Sequence, residues 1–412
     1  MRHLDHGFGA VVRFIVGNRS FLGLLGCNIL LGLAYSFVSP FMSLFGEHEV
    51  GMSSGAFGAF MTVTSLCGIV VSTILARWSD TRFARRTILL LGSAAGALGY
   101  ALYAVVRDPV WLAVIGSVLL GISSITFSQL FAHAREELSR SEVPSRDVPI
   151  YMNVFRLFFA LSWTIGPAIA SWVMTKLSYL GTFLLAAACF VALFGAILRL
   201  IPSRLPLGAA RQEATIRETI RALARSEVLA YFAGFVLLFA CGSLGMISLP
   251  LLVIDTLKGT TRNVGIVYSV APLFELPLML LFGFLATRGD HARLIRLGAL
   301  FAVAYYSLLG LVRAPWQIYP LQSLSAAITA VTQGVAITFF QDFLPDQVGT
   351  ATNLYSNASR LGQVAGYVLF SQIAGPLGYR NLFFASSAIC CASLLLMWLF
   401  RPRSRPMALI DP

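Results

Sequence analysis

Along this 412-residue chain, apolar residues do not alternate with polar ones; they fall into runs of about twenty, separated by short polar stretches. As a helix rising 1.5 Å per residue, such a run crosses a bilayer core of about 30 Å. Twelve spans are read at 21–45, 55–75, 87–106, 110–132, 149–174, 180–200, 228–254, 263–286, 294–312, 316–340, 350–374 and 379–400. Inside hydrocarbon every backbone N–H and C=O must be bonded within its own segment. Each span is therefore a helix, and the fold class is an all-α membrane protein. The even number puts both chain ends on one side.

Composition agrees with lipid as the solvent. The chain is 57% hydrophobic and 12% charged, where a soluble domain carries about 25% charged residues. The formal charge of +12 raises the question of nucleic acid, but Lys and Arg sit in short clusters between apolar runs and form no basic domain. Topology explains them. One face carries Arg2, Arg13, Arg19, Arg77, Arg82, Arg85, Arg86, Arg135, Arg140, Arg146, the run 199–225, Arg288, Arg293, Arg296, Arg401, Arg403 and Arg405; the other has Arg107, Lys176, Lys258, Arg262, Arg313 and Arg380. By the excess of basic residues in cytoplasmic loops, both termini are expected in the cytoplasm. The stretch from Phe21 is too long for a removable signal and lacks a small-residue cleavage site, so it is expected to stay as the first helix. The six cysteines all lie in apolar runs without CxxC spacing and read as packing residues.

The longest loop, 201–227, carries Pro202, Pro206 and Gly208, then Arg211, Glu213, Arg217, Glu218, Arg221 and Arg225. This resembles an amphipathic surface helix after a Pro-Gly break. It divides the chain into an N-terminal six-helix bundle (1–200), a cytoplasmic linker (201–227) and a C-terminal six-helix bundle (228–412). An internal repeat supports two pseudo-symmetric bundles. Tyr151, Asn153, Arg156 and Leu157 in the fifth span recur as Tyr355, Asn357, Arg360 and Leu361 in the eleventh at an offset of 204 residues, which also carries Gln129 onto Gln333. Gly166-Pro167 and Gly375-Pro376 stand late in the same two helices. Parallel halves related by an axis along the membrane normal are a transporter's architecture.

A charge at the bilayer centre costs about 2.5–3.5 kcal/mol on insertion scales, so such residues face a cavity or a partner. Arg156 and Arg360 lie about two turns inside their helices, roughly 11–15 Å from the ends. Asn153 and Arg156 share a helix face that Trp163 extends, and Asn357 and Arg360 share one that Gln363 and Tyr367 extend. Two facing polar stripes would line a wet cleft; the alternative is that each Arg snorkels to the interface. Glu275, between Pro272 and Pro277, is the carboxylate placed well inside the membrane. It reads either as a proton carrier or as a structural acid paired with an Arg. A sugar would need amides and guanidinium groups for its hydroxyls and aromatic faces for its ring. Asn28, Tyr35, Gln129, Asn153, Arg156, Trp163, Gln322, Gln333, Asn357, Arg360 and Tyr367 supply them, although each alone fits an interhelical hydrogen bond as well. No catalytic constellation, cofactor motif or metal-ligand spacing is read. His133 stands at a helix end, His48 between Glu47 and Glu49 reads as a solvated loop, and Gly92 to Gly99 reads as close helix packing.

The loop Ala76-Arg77-Trp78-Ser79-Asp80 with Arg82, Arg85 and Arg86 resembles the signature loop of the major facilitator superfamily, with Ala76 where Gly is usual and one extra residue after Asp80. The resemblance implies the twelve-helix major facilitator fold and a conformational lock made by Asp80, Arg85 and Arg86. Ser128 to Ala132 with Ala134-Arg135-Glu136, Arg156 to Pro167, Pro277 to Ala286, and Gly32 to Phe45 with Pro40 are similar to the bacterial sugar efflux transporter family. That resemblance implies a monomer in the inner membrane exporting small sugars or glycosides in exchange for protons. A drug or amphiphile exporter of the same fold is the alternative within transport, and a membrane-embedded enzyme or sensor the alternative outside it.

Overall fold

The computed structural model describes residues 17–81, 84–141, 143–144, 147–202 and 216–400. Among them ten helices are long and apolar enough to cross a membrane. Two of these, Val148–Leu200 and Val348–Leu399, run for 53 and 52 residues, about 80 Å if straight. Each instead breaks at one residue with positive φ, Ser178 (φ 53°) and Gly378 (φ 72°), and doubles back as a helical hairpin. Twelve spans result: α1 (Arg19–Glu49), α2 (Ser54–Thr81), α3 (Arg85–Val105), α4 (Pro109–Arg140), α5 (148–177), α6 (179–200), α7 (Ser226–Thr256), α8 (Thr261–Arg288), α9 (His291–Leu311), α10 (Pro315–Phe343), α11 (348–377) and α12 (379–399). The charged helix Ile216–Leu223 lies between α6 and α7; residues 203–215, with Pro206, Gly208, Arg211 and Glu213, lie outside the described residues.

The connections alternate between two faces. The near face carries residues 17, 141, 201 and 400, and the far face carries 50–53, 106–108, 257–260 and 312–314. α1 packs on α5 and α3 on α6 in the first half; α7 packs on α11 and α9 on α12 in the second. Between the halves α2 packs on α11 and α5 on α8. Exchanging the halves leaves this pattern unchanged, as a pseudo-two-fold axis along the membrane normal requires.

Large apolar side chains cover the outside of the helices, among them Leu280 at 78% exposure. In water that surface would be costly; against lipid it is the expected face. Trp111, Trp316 and Trp172 are exposed toward the far ends of their helices and Trp398 toward a near end, where an aromatic belt belongs. The interior of each half is closed by aromatic contacts, Phe45 edge-on to Phe183 in the first and Tyr306 stacked on Phe383 in the second.

The helices outrun the spans read from hydropathy. α1 ends in a π-turn over Phe45–Glu49, so Glu47, His48 and Glu49 close a helix and are not a solvated loop. α4 runs to Arg140, because its polar last turns stand beyond the hydrocarbon. The two Gly-Pro pairs are not equivalent. Gly166 sits mid-helix, where a Cβ would collide with Ser36 Oγ, whereas Gly375-Pro376 stands two residues before the break at Gly378.

Candidate functional site

The halves meet tightly only at the far end. Hydrogen bonds and an ion pair link them there. Ser371 Oγ of α11 donates to the Gly55 carbonyl of α2 at 2.7 Å, His48 Nε2 of α1 pairs with Asp255 of α7 at 3.0 Å, and the Tyr379 hydroxyl of α12 donates to Glu47 of α1. Glycine permits the approach. A Cβ on Gly58 would stand 2.5 Å from the backbone nitrogen of Ser371, and one on Gly265 of α8 would stand 2.7 Å from the Pro167 carbonyl of α5. The same device thus serves both sides of the pseudo-two-fold axis.

Toward the near end the repeated polar motifs are exposed. Asn153 and Arg156 on α5, and Asn357 and Arg360 on α11, are all exposed, as are Gln333 and Gln363. Arg156 is nonetheless close enough to Tyr355 of the opposite half to act electrostatically on its hydroxyl. That hydroxyl donates to Gln333 Oε1 and to the Thr332 carbonyl, both at 3.0 Å. Arg156, Tyr355 and Gln333 therefore approach one another from three helices and both halves, with Arg156 and Gln333 exposed, about 10–12 Å inside the near ends of α5 and α11. The guanidinium offers a fork of donors and the Gln333 amide two more. The arrangement can grip a hydroxyl-rich or anionic solute and performs no bond chemistry by itself.

The other residues singled out by sequence lie elsewhere. Trp163 is half-buried on α5 two turns beyond Arg156, and Tyr367, its counterpart at the 204 offset, is buried on α11 with its hydroxyl accepting from Gln363 Nε2 at 3.2 Å. Asn28 is fully buried, its Nδ2 donating to the Phe155 carbonyl at 2.6 Å across the α1–α5 seam. Tyr35 reaches the Ser123 carbonyl at 3.4 Å within the first half. Gln322 is buried and donates to the Tyr305 hydroxyl at 3.3 Å. Gln129 does not mirror Gln333: it is buried, and its Oε1 accepts from Arg85 Nη1 at 2.9 Å. In this conformation Asn28, Gln129 and Gln322 are closed to a ligand.

Arg85 also pairs with Glu136 at 2.7 Å, tying α3 to α4, and Arg86 donates to the Leu198 carbonyl at 2.8 Å, tying α3 to α6. These contacts hold one half together. The side chain of Asp80 lies outside the described residues. Glu275 is half-buried in α8 between Pro272 and Pro277, and makes no hydrogen bond or ion pair among the described residues. The Arg partner that a structural role would need is missing from that set. Tyr355 is the site residue that sequence reasoning undervalued, although its recurrence at the 204 offset was the signal.

Comparison with known proteins bears on this geometry. The sequence profile of the Major Facilitator Superfamily matches residues 24–367 and 264–410. A putative sugar efflux transporter of Deinococcus radiodurans is 34% identical over 385 residues, covering 92% of this chain and 98% of the relative. Sugar efflux transporter A of Dickeya chrysanthemi is 32% identical over 372 residues, 90% of this chain and 93% of the relative. Among solved structures, the nucleoside transporter NupG superposes with a TM-score of 0.79 over 93% of this chain and 100% of its own at 12% identity, which is a likeness of fold alone.

Proposed function

Because the chain belongs to the sugar efflux transporter family of the major facilitator superfamily, we propose that this membrane transporter exports small sugars or glycosides by alternating access, in exchange for protons. The near face is then cytoplasmic, in accord with its excess of Arg, the membrane is the bacterial inner membrane, and the conformation described is inward-open. A saccharide enters from the near side. Its hydroxyls are held by Arg156 and Gln333, with Asn153, Asn357 and Arg360 on adjoining turns, and Trp163 stands deeper for the ring's apolar face. Rocking of the halves closes the near end, and the solute leaves at the far side.

Coupling requires the loaded and empty carriers to differ in protonation. Glu275 is the carboxyl for this role: it lies between two prolines that free backbone carbonyls and let α8 bend, and no described cation holds it ionised. A proton taken up from the far side returns with the empty carrier and is released to the near side before the next sugar leaves. The observation that carries the reading is that the exposed Arg156 of one half lies within electrostatic range of Tyr355 in the other, beside the exposed Gln333. A polar group so placed serves a solute between the halves better than it serves packing within one.

Proteoliposomes containing wild type or Glu275→Gln, screened with radiolabelled saccharides under an imposed pH gradient, test both parts. Wild type is expected to move unmodified saccharide with the gradient as driving force. Glu275→Gln is expected to retain exchange between equal sugar pools and to lose the gradient's effect. Equal pH dependence in the two proteins removes Glu275 from the mechanism.

A further inference from the structure

The closed far end contains a carboxyl group that the transport cycle above does not use. Glu47 lies in the π-turn that ends α1, facing a notch between α1 and α2. The opposite half fills this notch with Tyr379, the residue after the Gly378 break. The Tyr379 hydroxyl donates to Glu47 Oε2 and stands 3.2 Å from Ser54 Oγ of α2. The other carboxyl oxygen, Oε1, is sealed from solvent and has no hydrogen-bond partner among the described residues.

The charged groups around it do not compensate an ionised Glu47. Asp255 of α7 and His48 both act on it electrostatically, but His48 is engaged by Asp255 at 3.0 Å. Glu49, on the same turn, is taken by Arg107 at 3.0 Å. Tyr179 of α6, near Glu49 and Asp255, adds no positive charge. Glu47 itself makes no ion pair among the described residues. The Tyr379 and Ser54 hydroxyls both hydrogen-bond to the carboxyl, but Oε1, cut off from water and donors, would on ionisation lose its hydration with nothing in exchange. The neutral acid avoids this: its O–H donates to the Tyr379 oxygen, the Tyr379 O–H donates to Ser54 Oγ, and only a carbonyl oxygen stays unsatisfied.

We propose that Glu47 is a proton-operated latch, on which the far end closes when the carboxyl is protonated and opens when it is ionised. When the far end opens, Tyr379 leaves the notch and water reaches both oxygens, so the ionised form regains its hydration. Protons in the compartment that receives the sugar would then return the empty carrier to the inward-open state. The inference rests on the proton-exchange reading for its place in the cycle, and its test does not.

The test is a distance across the far face, measured by pulsed electron paramagnetic resonance between spin labels at positions 176 and 313, in a background without the native cysteines. Wild type is expected to show the short, closed distance at acid pH and a growing longer population as pH rises. Glu47→Gln, a permanently neutral mimic, is expected to keep the closed distance across the range. Tyr379→Phe is expected to lose closed population at acid pH, and His48→Asn to keep the transition. A wild-type pH response persisting in Glu47→Gln or Tyr379→Phe overturns the latch, as does a wild type with no response. If the distances behave as expected while sugar flux ignores the pH gradient, the latch stands and proton exchange falls.

Discussion

Closure of the far end depends on the absence of one methyl group. In Gly58→Ala the new Cβ would stand 2.5, 2.6 and 2.7 Å from the N, Cα and Cβ of Ser371. Carbon contacts settle at about 3.5–4.0 Å, so α2 and α11 must separate by about 1 Å along that line. The atoms struck are mostly helix backbone, and no change of rotamer relieves them. Overpacking of this kind costs about 1–3 kcal/mol. The cost falls on the far-closed conformation alone, because rocking the halves apart at that end removes it. At about 1.4 kcal/mol per factor of ten, the closed-to-open ratio should drop about fivefold to about 150-fold. Spin labels at positions 176 and 313 should report a longer far-face distance. Gly265→Ala, directed at the Pro167 carbonyl and Ser171, should do the same from the other side of the pseudo-axis. Gly26→Ala, which meets nothing within 4 Å, should leave the distance unchanged. A Gly58→Ala distribution identical to wild type would show that the α2–α11 approach does not set the closed state.

The gap between the halves and the seams within them respond to different substitutions. Arg156→Gln removes the charge facing Tyr355 and should weaken saccharide binding by about tenfold or more, from loss of charge-assisted hydrogen bonds of about 1.5–3 kcal/mol. Thermal stability in detergent should stay near that of wild type, because the side chain is exposed; fluorescence-monitored melting and ligand titration check the two halves of this statement. Asn28→Ala deletes the buried hydrogen bond that links α1 to the Phe155 carbonyl of α5 and leaves a void at that seam. It should cost about 1–3 kcal/mol, read as a lower melting temperature, with saccharide affinity unchanged in the protein that stays folded.

Hydropathy exposes the spans because lipid demands uniformly apolar segments; their ends are harder to read, since a helix does not stop where hydrocarbon does. The last turns of α1 and α4 are polar and helical at once. The 204-residue repeat is legible because both halves must solve one packing problem, and it reaches the site through Arg156 and Tyr355. The same offset misleads at Gln129: Arg85, itself held by Glu136, captures it, and the second half has Gly289 and Phe340 at the positions corresponding to Arg85 and Glu136. The far-face network leaves no trace in spacing. Glu47, Ser54, Asp255 and Tyr379 are up to 332 residues apart and meet only because the halves close there.

Saccharide movement in proteoliposomes tests the central claim most directly, with wild type and Arg156→Gln loaded with one labelled sugar and diluted into the unlabelled form. The account predicts rapid exchange of chemically unaltered saccharide in wild type and its loss in Arg156→Gln. A wild type that moves no saccharide from a broad panel while carrying an amphiphilic dye would contradict it.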